Sequence, residues 1–151
     1  MHWRIALAAW MTLIFVGSSS LLASWFSADA TEEVFGLLNY IVRKSVHMSE
    51  YGVLAYLWLR SIWRRTDRFG KDLAWSVALA VAYASTDEYH QTFVPQRLGI
   101  WTDVVWDAGG ATIMACVLWL IRQRGPAGVR RWVLGPAGAS GVVEQPAAPP
   151  R

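Results

Sequence analysis

Uncharged stretches recur along this chain, and polar residues cut all but the first of them short. Residues 5–26 carry no formal charge over 22 positions, and at about 1.5 Å per helical residue they cross a hydrocarbon core of about 30 Å. That stretch predicts a membrane-spanning helix. The next three uncharged runs, 51–59, 73–86 and 108–121, fall short of crossing length. Each reaches it only by taking in ionisable groups: the second back through Glu50 and His47 to Lys44, the third forward through Asp87 to Gln91, the fourth back through Asp107 to Asp103. The predicted spans are therefore about 5–26, 44–63, 73–91 and 103–121, and the fold class is all-α, an integral membrane four-helix bundle over residues 1–124.

Two alternatives attach to the ends. A cleavable signal peptide would use Arg4, the apolar run from Ile5 to Val16 and the Ala28-Asp29-Ala30 site, but the apolar stretch continues past Ser18-Ser19-Ser20 to Phe26, which favours a retained helix. After Gly125 the composition turns to Gly, Pro and Ala, with Gly-Pro-Ala-Gly at 125–128 repeated at 135–138. Residues 125–151 read as a disordered cytoplasmic tail. Within it Arg130-Arg131-Trp132 suits either the inner leaflet or plain solvent.

Composition strengthens the membrane reading. Hydrophobic residues make up 54% of the chain and mean hydropathy is +0.27, both high for a soluble domain of this size. There are ten Trp; Trp3, Trp25, Trp63, Trp75 and Trp101 sit where apolar runs end, as interfacial anchors do, while Trp58, Trp106 and Trp119 fall inside runs and suit a core. The net charge is +3, but the basic residues stand in short groups beside apolar segments rather than along one stripe. This excludes a nucleic-acid surface and points to anionic headgroups. Cys116 stands alone inside an apolar run, so no intrachain disulfide can form and a small buried side chain is expected.

Charge also sets a direction. Arg60, Arg64, Arg65, Arg68 and Lys71 follow the second span, Arg122, Arg124, Arg130 and Arg131 follow the fourth, and Arg4 precedes the first. These predict cytoplasmic segments and two cytoplasmic termini. The segment 27–39, with Asp29, Glu32 and Glu33, and the loop 92–102, with Arg97 alone, fall outside, and only Arg43 and Lys44 run against the trend. Lys44, His47, Glu50, Tyr51, Asp87, Glu88, His90, Gln91, Asp103 and Asp107 then all reach the outer end of the bundle. Lys44, His47 and Tyr51 share one helical face, as do Asp87, His90 and Gln91, and Asp103 with Asp107. Such faces turn inward, because a charge costs roughly 2.5 to 3.5 kcal/mol at the bilayer centre. Lys44 or Arg97 is expected to pair with Asp87, Glu88 or Asp107, and Thr102 to cap the fourth helix. Pro95 and Gly99 read as turn formers around Arg97.

The stretches Lys44-x-x-His47-x-x-x-Tyr51-Gly52-x-Leu54, Asp87-Glu88-Tyr89-His90-Gln91-x-Phe93-Val94-Pro95-x-Arg97 and Asp103-Val104-x-x-x-x-Gly109-Gly110 resemble the signature of the VanZ-like membrane proteins. Gln96 stands where that family usually has Gly, and Asp107 where Asn is common. The resemblance implies a multi-pass protein of the bacterial cytoplasmic membrane with a role in the cell envelope or in susceptibility to the glycopeptide teicoplanin. It implies no particular reaction.

Three function classes stay open. An enzyme acting on a lipid-linked or envelope substrate would use Glu50, Asp87 or Glu88 as general acid or base and His47 or His90 as proton carrier. Lys44 and Arg97 would hold phosphate or carboxylate, beside Tyr51, Gln91, Asp103 and Asp107. A binder or transporter would accommodate an amphiphilic, glycopeptide-like or lipid-linked ligand in an outward-facing polar pocket without breaking bonds. An ion-pair network would only fix helix register, although ten polar groups at one depth exceed what three helices need. A metal variant of the enzyme would bind Zn or Mn through the two His and several carboxylates, but no His-x-x-x-His or His-Glu-x-x-His spacing occurs, so no metal ligand is assigned; the cofactor is left unassigned.

Overall fold

The computed structural model describes residues 2–19, 29–63, 68–95 and 99–136. Among these the chain is all-helical: α1 His2–Ser18, α2 Asp29–Ile62, α3 Phe69–Gln91, α4 Trp101–Arg124 and α5 Ala127–Leu134. α1 and α3 run one way, α2 and α4 the other. Cross-helix contacts fix this: Trp3 meets Tyr56 edge-on at 5.9 Å, Trp10 donates its indole N–H to the Glu50 carbonyl at 3.0 Å, and Ser18 reaches Asp87.

The largest interface joins the parallel pair α2 and α4, and glycine makes it. A Cβ on Gly110 would strike the Met48 backbone carbonyl, and one on Gly52 would lie 3.3 Å from the Gly110 carbonyl oxygen. Without side chains at these two positions the helix backbones come together, a close approach that only small residues permit. Below this crossing Tyr51, Leu54, Ala55, Ala80, Ala84 and Ala111 form one core cluster with Leu7 and Ile14 of α1. Leu59, Trp63, Phe69, Leu73, Leu118 and Leu134 form a second, at the other end.

The outer surface is unusually apolar. Leu13, Phe15, Trp75, Ile113, Val117 and Leu120 all point away from the core, and by length and composition α4 alone among the described helices is apolar enough to cross a membrane. α1 is as apolar but only 17 residues long, and α2 and α3 carry charged residues along their lengths.

Several expectations are corrected. Residues 29–39, expected as an outer segment before a helix starting at Lys44, belong to α2, which begins at Asp29; no Pro interrupts this stretch. Residues 127–134, expected within a disordered tail, form α5, because Leu134 is buried in the second cluster. Trp63 is core rather than anchor, edge-on to Phe69 at 5.0 Å, whereas Trp75 and Trp101 are exposed. Cys116 is exposed, on the outward side of α4.

Candidate functional site

Alternating helix direction brings Ser18, Lys44, Gln91 and Trp101 to one end of the bundle, and here the polar residues meet. Their partners differ from those expected. Lys44 forms an ion pair with Asp103 rather than with Asp87, Glu88 or Asp107; Lys44 stands one turn before Met48 on α2 and Asp103 about two turns before Gly110 on α4. One turn deeper, His47 Nδ1 lies 4.0 Å from Asp107 Oδ1 and 3.8 Å from Glu50 Oε2. Asp107 is buried, and its Oδ1 accepts no hydrogen bond.

Asp87 sits one helix further on, buried and hydrogen-bonded from three helices. It accepts from the Ser18 hydroxyl of α1 at 2.6 Å, from the Gln91 amide at 3.0 Å and, at 3.5 Å, from the Tyr51 phenol of α2. A carboxylate so enclosed is held in place by donors rather than by a cation. Glu88 turns to the loop: its Oε1 accepts the Ile100 backbone N–H. That bond caps α4, whose N-cap is Ile100 with no cap from its own side chain; Thr102, expected as the cap, lies inside the first turn. His90 packs against the Phe15 ring at 4.4 Å, with no hydrogen bond to its Nδ1. Arg97 lies outside the described residues.

These side chains therefore form a ladder across the bundle, Lys44–Asp103, then His47 with Glu50 and Asp107, then Tyr51–Asp87–Gln91. Two clefts flank it among the described residues. One, of about 370 Å³ between α1 and α2, is lined by Trp10, Ile41, Val42, Ser49 and Val53, and Glu50 is its single ionisable residue. The other, of about 720 Å³ between α3 and α4, is lined by Ser85, Glu88, Tyr89, Thr92, Trp101 and Val105. Gly99 also lines it, and a Cβ there would collide with Thr92 and the Glu88 carbonyl. Among the described residues no three His, Cys, Asp or Glu side chains stand together as metal ligands would.

Sequence reasoning missed Ser18 and Trp10. A hydroxyl in an otherwise apolar span, at the depth of an acid on a neighbouring helix, was the available clue to Ser18; nothing marked the Trp10 indole as a partner for a backbone carbonyl.

An all-helical bundle with a buried polar ladder at one end defines the class of the protein. Residues 3–122 match the VanZ/LLP1 family model, and the chain belongs to that family. No curated protein and no solved structure matches it significantly.

Proposed function

We propose that the chain is a four-span protein of the bacterial cytoplasmic membrane with both termini inside, and that its polar end acts on a lipid-linked or cell-envelope ligand. Three features support the membrane placement: family membership, the apolar length of α4, and the large side chains that point outward all round the bundle. A helix apolar on every side needs an apolar solvent.

The single observation that carries the functional reading is where Glu50 stands. Its carboxylate is within 3.8 Å of the His47 imidazole and on the wall of the apolar α1–α2 cleft. A hydrocarbon chain lying in that cleft places its polar head at Glu50 and His47. His47 then carries a proton between Glu50 and the ligand, with buried Asp107, which faces the same Nδ1 as Glu50, stabilising the imidazolium. Lys44, Asp103, Asp87, Tyr51 and Gln91 already satisfy one another, so their part is to hold α2, α3 and α4 in register around the acid–base pair. Glu88 holds the loop that carries Arg97, which suits a phosphate or carboxylate on the ligand.

A comparison of lipids and envelope precursors tests this, made between cells bearing the native chain, Glu50→Gln or no copy. Enzyme action predicts one species that accumulates equally in the last two while the variant reaches native abundance in the membrane. Identical profiles in all three, with teicoplanin susceptibility still following Glu50, would replace catalysis by binding of an amphiphilic ligand. Loss of nothing on Glu50→Gln would end both.

A further inference from the structure

The opposite end of the bundle carries α5, which lies beyond the residues matched to the family. It is docked firmly. Leu134 is buried among Leu59, Trp63, Phe69 and Leu118, and the Val133 carbonyl accepts both the Tyr56 hydroxyl at 2.8 Å and Arg60 Nη1 at 2.7 Å. Gly135 ends the helix at φ +77°, with the Arg60 guanidinium where a Cβ would stand. A side chain there would be both strained and in contact with the docking arginine.

So fixed, α5 holds a mixed face outward. Trp132 is 87% exposed and Val129, one turn away, 41%; Arg131 beside them is exposed too. Arg4, Arg68, Lys71 and Arg124 are exposed at the same end of the bundle. An indole and a valine on a rigid mount amid five cations are unfavourable in water, and they match the boundary between acyl chains and anionic headgroups.

We propose that α5 is an interfacial helix that binds the anionic leaflet of the membrane, Trp132 and Val129 entering the headgroup layer and Arg131 pairing with lipid phosphate. The contact fixes the depth and tilt of the basic end and, through Arg60 and Tyr56, the axial position of α2. It rests on the membrane-crossing reading but not on any chemistry at the polar end.

The test uses the full chain with Cys116→Ser in nanodiscs, carrying one environment-sensitive fluorophore at Val129→Cys or, as control, at Val117→Cys on the outward face of α4. Spin-labelled lipid should quench the Val117 probe in any lipid. It should quench the Val129 probe at least about twofold more in phosphatidylglycerol-containing discs than in phosphatidylcholine discs, and Trp132→Ala with Arg131→Ala should abolish that difference. A Val129 probe quenched by aqueous iodide alike in both lipids, with Val117 shielded, overturns the leaflet contact alone. Iodide quenching of both probes overturns the membrane crossing itself.

Discussion

At the polar end, carboxylates and their donors face each other between helices; at the basic end, guanidinium groups lie on aromatic rings. Asp87 takes hydrogen bonds from α1, α2 and its own helix, and Lys44 is bound to Asp103. Arg60, by contrast, lies 4.2 Å over the Trp3 ring and Arg122 4.6 Å over Phe69. The first arrangement needs specific partners at specific depths, because a buried carboxylate that loses a donor leaves polar atoms unsatisfied. The rings alone tolerate movement, since a cation slides over a ring face with little change in energy and its stem packs as hydrocarbon. At this end position is set instead by backbone acceptance, the Val133 carbonyl taking both Tyr56 and Arg60.

The strongest test of this contrast breaks both ends together. Gly110→Leu forces α2 and α4 apart at Met48, and a loss of about 3 kcal/mol or more is expected, read as a fall in the thermal midpoint in detergent and in membrane abundance. Next comes Asp87→Leu, which leaves Ser18, Tyr51 and Gln91 without their acceptor. A loss of about 2 to 3 kcal/mol is expected, with Asp87→Asn milder, by chemical denaturation of the detergent-solubilised protein. If Asp87→Leu proved neutral, the polar end would be as tolerant as the ring contacts of the basic one.

Smaller effects sharpen the comparison. A double-mutant cycle of Lys44→Met with Asp103→Leu should return a coupling of about 1 kcal/mol, because both side chains are part-exposed. Arg60→Met should cost about 1 kcal/mol, through the lost bond to the Val133 carbonyl and the lost ring contact, and should expose the chain near Gly135 to limited proteolysis. The cut should appear without any change at the polar end.

Much of this architecture was legible in the residues. Uncharged runs too short to cross forced Glu50, Asp87 and Asp107 into helices, and helical spacing put Lys44, His47 and Tyr51 on one face, where α4 and α3 meet them. Gly109-Gly110 pointed to a close approach, realised at Gly110. What stayed hidden has physical reasons. The cap that Glu88 supplies goes to a backbone N–H, which no side-chain pattern announces. Acidic residues at 29–33 resemble a loop as well as a helix start. Cys116 outside was not legible, because a helix apolar on most faces has little periodicity to show which side packs; Trp63 inside was not, because a Trp at the end of an apolar run suits an interface and a core equally. α5 hid in Gly- and Pro-rich sequence, since an eight-residue helix depends on docking rather than propensity.

Opposite ends at opposite faces of one membrane is the claim on which the rest stands. Thr102→Cys and Lys71→Cys, each in a Cys116→Ser background, place single thiols at exposed positions of the polar and basic ends. An impermeant maleimide added to intact cells should label Thr102→Cys at once and Lys71→Cys only after the membrane is opened. Labelling of both from outside, or of neither, would contradict the account.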